Sequence, residues 1–174
     1  MRARDVVDFL GVSAAVVALV WVLSAIPTER ASPGIDRPLL AQSSWSTLQG
    51  QSVTSDDLLA GPLLLNVWAS WCVACQLESE FLNDLTRRDV PVIGINLQDN
   101  PGQAKAWLER FGNPYRFSVI DDGRLSEALG VTSAPVTLFI NSAGQIEVVF
   151  SGVLDQLAWS TYFGDVEARL GGAK

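Results

Sequence analysis

Leu63-Leu64-Leu65-Asn66-Val67-Trp68-Ala69-Ser70-Trp71-Cys72-Val73-Ala74-Cys75 decides how the rest of the chain is read. Its first six residues, Leu63 to Trp68, show no polar–apolar alternation. A run apolar on both faces suits a central parallel strand covered by helices. Asn66 interrupts it, as an amide satisfied by core hydrogen bonds. After Cys75 an amphipathic segment runs from Gln76 to Arg87. The two cysteines, the only ones in the chain, therefore sit where a buried strand hands over to a helix. A thiol at a helix start meets unpaired N–H groups and the positive end of the helix dipole. Both favour the thiolate, which is the nucleophile. Two residues between the cysteines allow a short disulfide ring, suited to a redox switch.

Other uses of a cysteine pair fit less well. A zinc site needs two further soft or imidazole ligands, and the chain has no histidine and no other cysteine. Haem attachment needs a histidine directly after the second cysteine, where Gln76 stands. A purely structural disulfide would gain little from so short a loop. In its strand–helix setting the pair reads as a thioredoxin-like redox site.

The chain has 174 residues, 48% of them hydrophobic, and a net charge of −7. That suits one globular domain plus an apolar appendage. The acidic balance and the lack of a Lys/Arg cluster argue against nucleic acid.

The appendage is N-terminal. Arg2, Arg4, Asp5 and Asp8 precede an uncharged run from Phe9 to Ile26. As a helix it spans about 27 Å, close to a hydrocarbon core of roughly 30 Å. A cleaved signal peptide is the competing reading. It requires a shorter apolar region and a small-x-small site, and Leu23 occupies a small-residue position if cleavage follows Ala25. The retained anchor is the preferred reading. Arg2 and Arg4 then place the N-terminus in the cytoplasm and the remainder outside. Residues 1–8 form the cytoplasmic end, 9–26 the transmembrane anchor, 27–39 a Pro-rich extended linker, and 40–174 the globular domain.

Within that domain, Trp45 to Val53 reads as a hairpin around Gln49-Gly50-Gln51. Thr54 reads as the N-cap of a short helix through Leu59. In the helix after the cysteines, Val73, Leu77, Phe81 and Leu85 recur every four residues, with Leu82 beside them. They mark its inward face, opposite Asn83, Asp84 and Arg87. Pro91 to Leu97 is a second buried strand. A helix opens at Asn100-Pro101, buries Ala104, Trp107, Leu108 and Phe111, and stops at Gly112-Asn113-Pro114. A strand over 117–120 and a short helix over 125–129 follow. Val136–Ile140 and Ile146–Phe150 form a hairpin. One helix, Leu154 to Leu170, closes the chain with Trp159, Phe163, Val166 and Leu170 inward. The order β-α-β-α-β-α-β-β-α gives an α/β fold, a mixed central sheet with helices on both faces.

Leu64-Leu65-Asn66-Val67-Trp68-Ala69-Ser70-Trp71-Cys72-x-x-Cys75 resembles the active-site strand of membrane-anchored thioredoxin-like reductases. Ala134-Pro135 before a strand resembles the thioredoxin cis-proline loop. Gly94-x-Asn96-x-x-Asp99, Trp107-Leu108, Gly112-Asn113-Pro114-Tyr115 and Gly130-Val131-x-x-Ala134-Pro135 are similar to the thiol:disulfide interchange proteins of cytochrome c biogenesis (the DsbE or CcmG type, TlpA-like). The resemblance covers about residues 50–155. It implies a thioredoxin-like fold and a periplasmic domain tethered to the inner membrane. It also implies reduction of oxidised apocytochrome c, or its haem-ligation chaperone, so that haem can attach. A membrane electron-donor protein would restore the dithiol. No cofactor is implied beyond a redox-active Cys72–Cys75 disulfide. Cys72, Cys75 and Glu78 would be catalytic, and Trp71, Ala134 and Pro135 would hold an extended substrate, with the Ala134–Pro135 bond cis.

The chain departs from the family where Val73-Ala74 replaces a proline-containing pair and where Val136 replaces a Glu after the cis-proline. Asn66 stands where thioredoxin itself has a buried Asp, as in this subfamily. Glu78 matches the family's acid three residues after the second cysteine. Geometry points the same way, since Glu78 lies about 60° around the helix from Cys75. The alternative for Glu78 is a solvated helix charge. For the whole domain the alternatives are a general extracytoplasmic thiol reductase or oxidant, and a non-catalytic peptide-binding module.

Overall fold

The structure, a computed structural model, describes residues 44–170. The proposed anchor at 9–26 and the linker at 27–39 lie outside these residues. Among the described residues no helix is long and apolar enough to cross a membrane.

Strands β1 (Ser44–Ser46) and β2 (Ser52–Thr54) pair antiparallel as the expected hairpin, with Gly50 at its turn at φ +83°. Thr54 caps the single turn α1 (Ser55–Leu58), and its N–H donates to the Asp57 carboxylate at 2.7 Å. Strand β3 (Leu63–Trp68) is buried along its whole length. Helix α2 (Val73–Arg87), β4 (Val92–Leu97), α3 (Pro101–Phe111), β5 (Ser118–Asp121) and α4 (Arg124–Ala128) follow. The chain then forms the hairpin β6 (Val136–Ile140) and β7 (Ile146–Ser151), and ends in α5 (Gln156–Tyr162) and α6 (Val166–Leu170).

The main sheet runs β5-β4-β3-β6-β7, with β3 at its centre. β3 is parallel to β4 and antiparallel to β6, so the sheet is mixed, as the element order requires. Alternate residues of β3 feed two cores. Leu63, Leu65 and Val67 join the core under α1, α4 and the β1–β2 hairpin. Leu64 and Trp68 join the core of α2, α3, α5 and α6, which also holds both cysteines. Asn66 lies on the second face by the same alternation.

Two readings of the helices are corrected. The inward face of α2 carries Cys75, Glu78, Ser79, Leu82 and Leu85, while Val73 and Leu77 are 77% and 70% exposed. Polar and sulfur-bearing residues occupy the buried positions near the N-terminus of α2, so apolar periodicity marks the wrong face there. The single helix from Leu154 to Leu170 is two. Asp155 caps α5, the chain breaks around Gly164, and α6 resumes at Val166. Trp159, Phe163, Val166 and Leu170 are nevertheless all buried.

Gly94 on β4 is required by packing rather than by its backbone angles. A Cβ there would lie 2.6 Å from Ser118 Oγ, 2.8 Å from Trp68 Nε1 and 2.9 Å from Tyr115 Cγ. Its absence lets Trp68 stack on Tyr115 with centroids 5.3 Å apart and donate its indole N–H to Ser118 Oγ at 3.0 Å. This aromatic floor lies at the end of β3 from which the cysteine loop leaves.

Candidate active site

Strand β3 delivers the chain to Cys72, the N-cap of α2. Its backbone is extended (φ −87°, ψ 103°) and its sulfur accepts a hydrogen bond from Cys75 N–H at 3.1 Å. Cys72 and Cys75 are joined in a disulfide with Cα atoms 5.3 Å apart. Cys72 keeps 6% of its surface exposed and Cys75 only 1%. An incoming partner therefore reaches Cys72 first. The N–H pointing at Cys72 Sγ would also hold a thiolate there, as charge-assisted hydrogen bonds do.

The loop before Cys72 is fixed by a carboxylate. Asp99 accepts from Ser70 N–H at 2.6 Å, Ser70 Oγ–H at 2.7 Å, Asn96 Nδ2–H at 2.9 Å and Asn100 N–H at 2.8 Å. Partial burial opposes its charge, but the donors from Ser70, Asn96 and Asn100 together hold its carboxyl below the usual 3.8. The β4–α3 turn thereby clamps the cysteine loop. Asn100 also caps α3, accepting from Gly102 and Gln103 N–H. Sequence reasoning assigned no role to Asp99 or Ser70, although the quoted Asn96-x-x-Asp99 spacing contained the signal.

Glu78 is fully buried, so the solvated-charge reading is set aside. Its Oε1 accepts from Asn66 Nδ2–H at 2.9 Å and its Oε2 from Leu154 N–H at 2.9 Å. Asn66 also donates to Thr137 Oγ1 at 3.1 Å and accepts from the Tyr115 hydroxyl at 2.8 Å. Burial pushes the Glu78 carboxyl up to about 7, against the Leu154 and Asn66 donors that favour its charge. Burial and the nearby Glu78 charge hold Tyr115 well above its ordinary value, so it stays a donor. Glu78 lies one helical turn beyond Cys75 on the same inward face. A carboxylate titrating near neutrality is matched to proton transfer at neutral pH.

The Ala134–Pro135 peptide bond is cis. Ala134 packs against the core that contains both cysteines, and Pro135 O accepts from Gly152 N–H at 3.0 Å. Val136 is buried in β6 opposite Val67. Trp71 is 56% exposed, yet its indole N–H donates to Gln98 O at 3.2 Å. Among the described residues no group of His, Cys, Asp and Glu side chains is arranged to hold a metal ion.

Residues 38–162 match the Redoxin family. The chain is 39% identical over 134 residues to the thiol:disulfide interchange protein DsbE of Pseudomonas fluorescens biotype C, covering 76% of this chain and 75% of that protein. It is 38% identical over 160 residues to the DsbE of Escherichia coli (strain K12), covering 87% and 84% respectively. A solved structure with a similar fold is a secreted Mycobacterium tuberculosis disulfide oxidoreductase homologous to E. coli DsbE. Its TM-score is 0.60 at 20% identity, over 78% of this chain and 98% of that one. The sheet order and this likeness agree on a thioredoxin-like α/β fold.

Proposed function

The chain belongs to the redoxin family and, within it, to the DsbE-type thiol:disulfide interchange proteins, and from that premise we propose that it reduces the disulfide of apocytochrome c or of its haem-ligation chaperone. The reading places residues 40–174 on the periplasmic side of the inner membrane, tethered by residues 9–26 and re-reduced by a membrane electron donor. The observation that carries it is the asymmetry of the pair: Cys72 at the helix cap, with a backbone donor on its sulfur, and Cys75 buried one helical turn from an acid that titrates near neutrality.

In the proposed reaction the Cys72 thiolate attacks one sulfur of the substrate disulfide. A mixed disulfide forms and the other substrate sulfur leaves as thiolate. Glu78 takes the proton of Cys75, whose thiolate attacks Cys72 and expels the second substrate thiolate. Two electrons pass to the substrate and the Cys72–Cys75 disulfide remains. Trp71 and the Ala134-Pro135 loop flank the extended substrate in this scheme.

The same steps run backwards in an oxidant, so poise sets the direction. Val73 and Ala74 are apolar and give Cys72 no side-chain donor. The Glu78 carboxylate disfavours a second negative charge on Cys75. Both leave the reduced form less stabilised than in a strong oxidant. Equilibration of the soluble domain with glutathione is expected to give a potential nearer thioredoxin's roughly −270 mV than the roughly −120 mV of the strong periplasmic oxidant. A value above about −160 mV, beyond the ~−180 mV of disulfide isomerase, would sink the reductant role.

A further inference from the structure

An open groove of about 460 Å³ runs between Trp71 and helix α3, beginning one residue before Cys72. That volume is in the range of small-molecule pockets, about 300–1,000 Å³. Trp71 forms one wall, held in place by its bond to Gln98 O. Trp107 and Phe111, their rings tilted 52° to each other with centroids 5.0 Å apart, form an aromatic floor. Arg110 is the one ionisable side chain that lines it. The guanidinium sits 5.1 Å from the centre of the Phe111 ring. Arg110 pairs with no carboxylate among the described residues, although carboxylates outnumber basic side chains in the chain as a whole. A guanidinium held over an aromatic ring keeps N–H donors that can pair with a planar anion.

We propose that this groove is a specificity subsite, and that its occupant is a stretch of the substrate polypeptide next to the target cysteine. That stretch would carry one acidic side chain read by Arg110 and an apolar side chain laid on Trp107 and Phe111. The proposal rests on the disulfide-exchange reading of Cys72 and Cys75, and it extends substrate contact to the Trp71 side of the pair, away from the Ala134-Pro135 loop. Charge complementarity selects the acidic peptide over a basic one, because the groove offers one cation and no carboxylate.

The test uses the reduced full chain and a set of disulfide-bearing peptides. These differ only in Glu, Gln or Lys at each of the three positions on either side of the cysteine. Rates are measured at low and high salt, with a small aromatic disulfide too short to fill the groove as a control. At one position or more, Glu should be reduced faster than Gln, and Gln faster than Lys. An exposed ion pair makes the Glu-to-Gln ratio about 2- to 5-fold, and salt should shrink it. Arg110→Ala should bring that ratio to one, and Arg110→Glu should invert the order of Glu and Lys. Equal rates on all peptides with the small disulfide still reduced would overturn the subsite and leave the exchange reading standing. A preference for Glu that survives in Arg110→Ala would also overturn it. Failure to reduce even the small disulfide would overturn both readings together.

Discussion

Two carboxylates that both follow the cysteine pair in sequence serve its two sides, and they are built in opposite ways. Asp99 reaches the loop before Cys72, is part-exposed, and is surrounded by four donors. Glu78 stands three residues after Cys75, is fully buried, and has two. Donors outweigh desolvation at Asp99, whose carboxyl falls below 3.8 and stays charged at any physiological pH. Desolvation outweighs donors at Glu78, which titrates at about 7. The ratio of donors to burial separates a clamp from a proton carrier, although both are acids hydrogen-bonded near the same disulfide.

The largest effect tests the premise that both acids serve a working pair. Cys72→Ser should abolish reduction of insulin disulfides, while Cys75→Ser should still attack and then stall as a mixed disulfide detectable by non-reducing mass spectrometry. Residual turnover in Cys72→Ser would move the attacking role to Cys75.

Next comes Glu78→Gln. Loss of a general base slows the step it serves by about 100-fold or more, so release of substrate from the mixed disulfide should slow and lose its inflection near pH 7. Stability supplies an independent readout. Folding raises the Glu78 value from 4.5 to about 7. The native state then binds the proton more tightly than the unfolded chain. Stability should therefore fall as pH rises from 4.5 to about 7, by on the order of 3 kcal/mol, and level off above. Denaturant titrations across that range should show the slope in wild type and not in Glu78→Gln. A slope unchanged by the substitution would mean that another group, not Glu78, titrates in this range.

Asp99→Asn should behave in the other manner. It should keep the inflection near pH 7 and lose about 1–3 kcal/mol of stability through weakened donors, toward the lower end because the group is part-exposed. A depressed carboxyl stabilises the fold above its unfolded value, and that stabilisation is lost as pH falls through the folded value. The gap between wild type and Asp99→Asn should hold steady from neutral pH downward and close below about pH 4. The smallest effect is Tyr115→Phe, which removes one donor to Asn66 at about 1 kcal/mol. It frees the amide that points its N–H at Glu78, so the inflection should move upward; a downward shift would remove Tyr115 from the network.

The strand, the turn and the cysteine-bearing helix were legible because their signals are local. Leu63 to Trp68 is an uninterrupted apolar run, and Asn100-Pro101 is a cap written in two letters. The partners of Glu78 were not legible, because Asn66, Tyr115 and Leu154 lie 12 to 76 residues away from the groups they bond. Angle alone placed Glu78 near Cys75 and left a solvated charge equally open; only the meeting of three distant segments buries it. Val73 and Leu77 misled for a related reason. Apolar period stands for burial only where the core is apolar, and here a sulfur and a carboxylate hold the inward positions. Gly164, a poor helix former, lies at the break between the last two helices, yet the buried Trp159, Phe163, Val166 and Leu170 keep one face across both.

The bond from Leu154 N–H to Glu78 makes a messenger of one backbone proton. Leu154 precedes α5, at the far end of the chain from the cysteines in sequence. Its amide faces a carboxylate whose charge comes and goes near neutrality. In a nuclear magnetic resonance spectrum that amide peak should migrate along the pH axis with the acid, and migrate differently in the dithiol and disulfide forms. The protonation of a buried group could then be followed by watching a single resonance, without a probe on either sulfur.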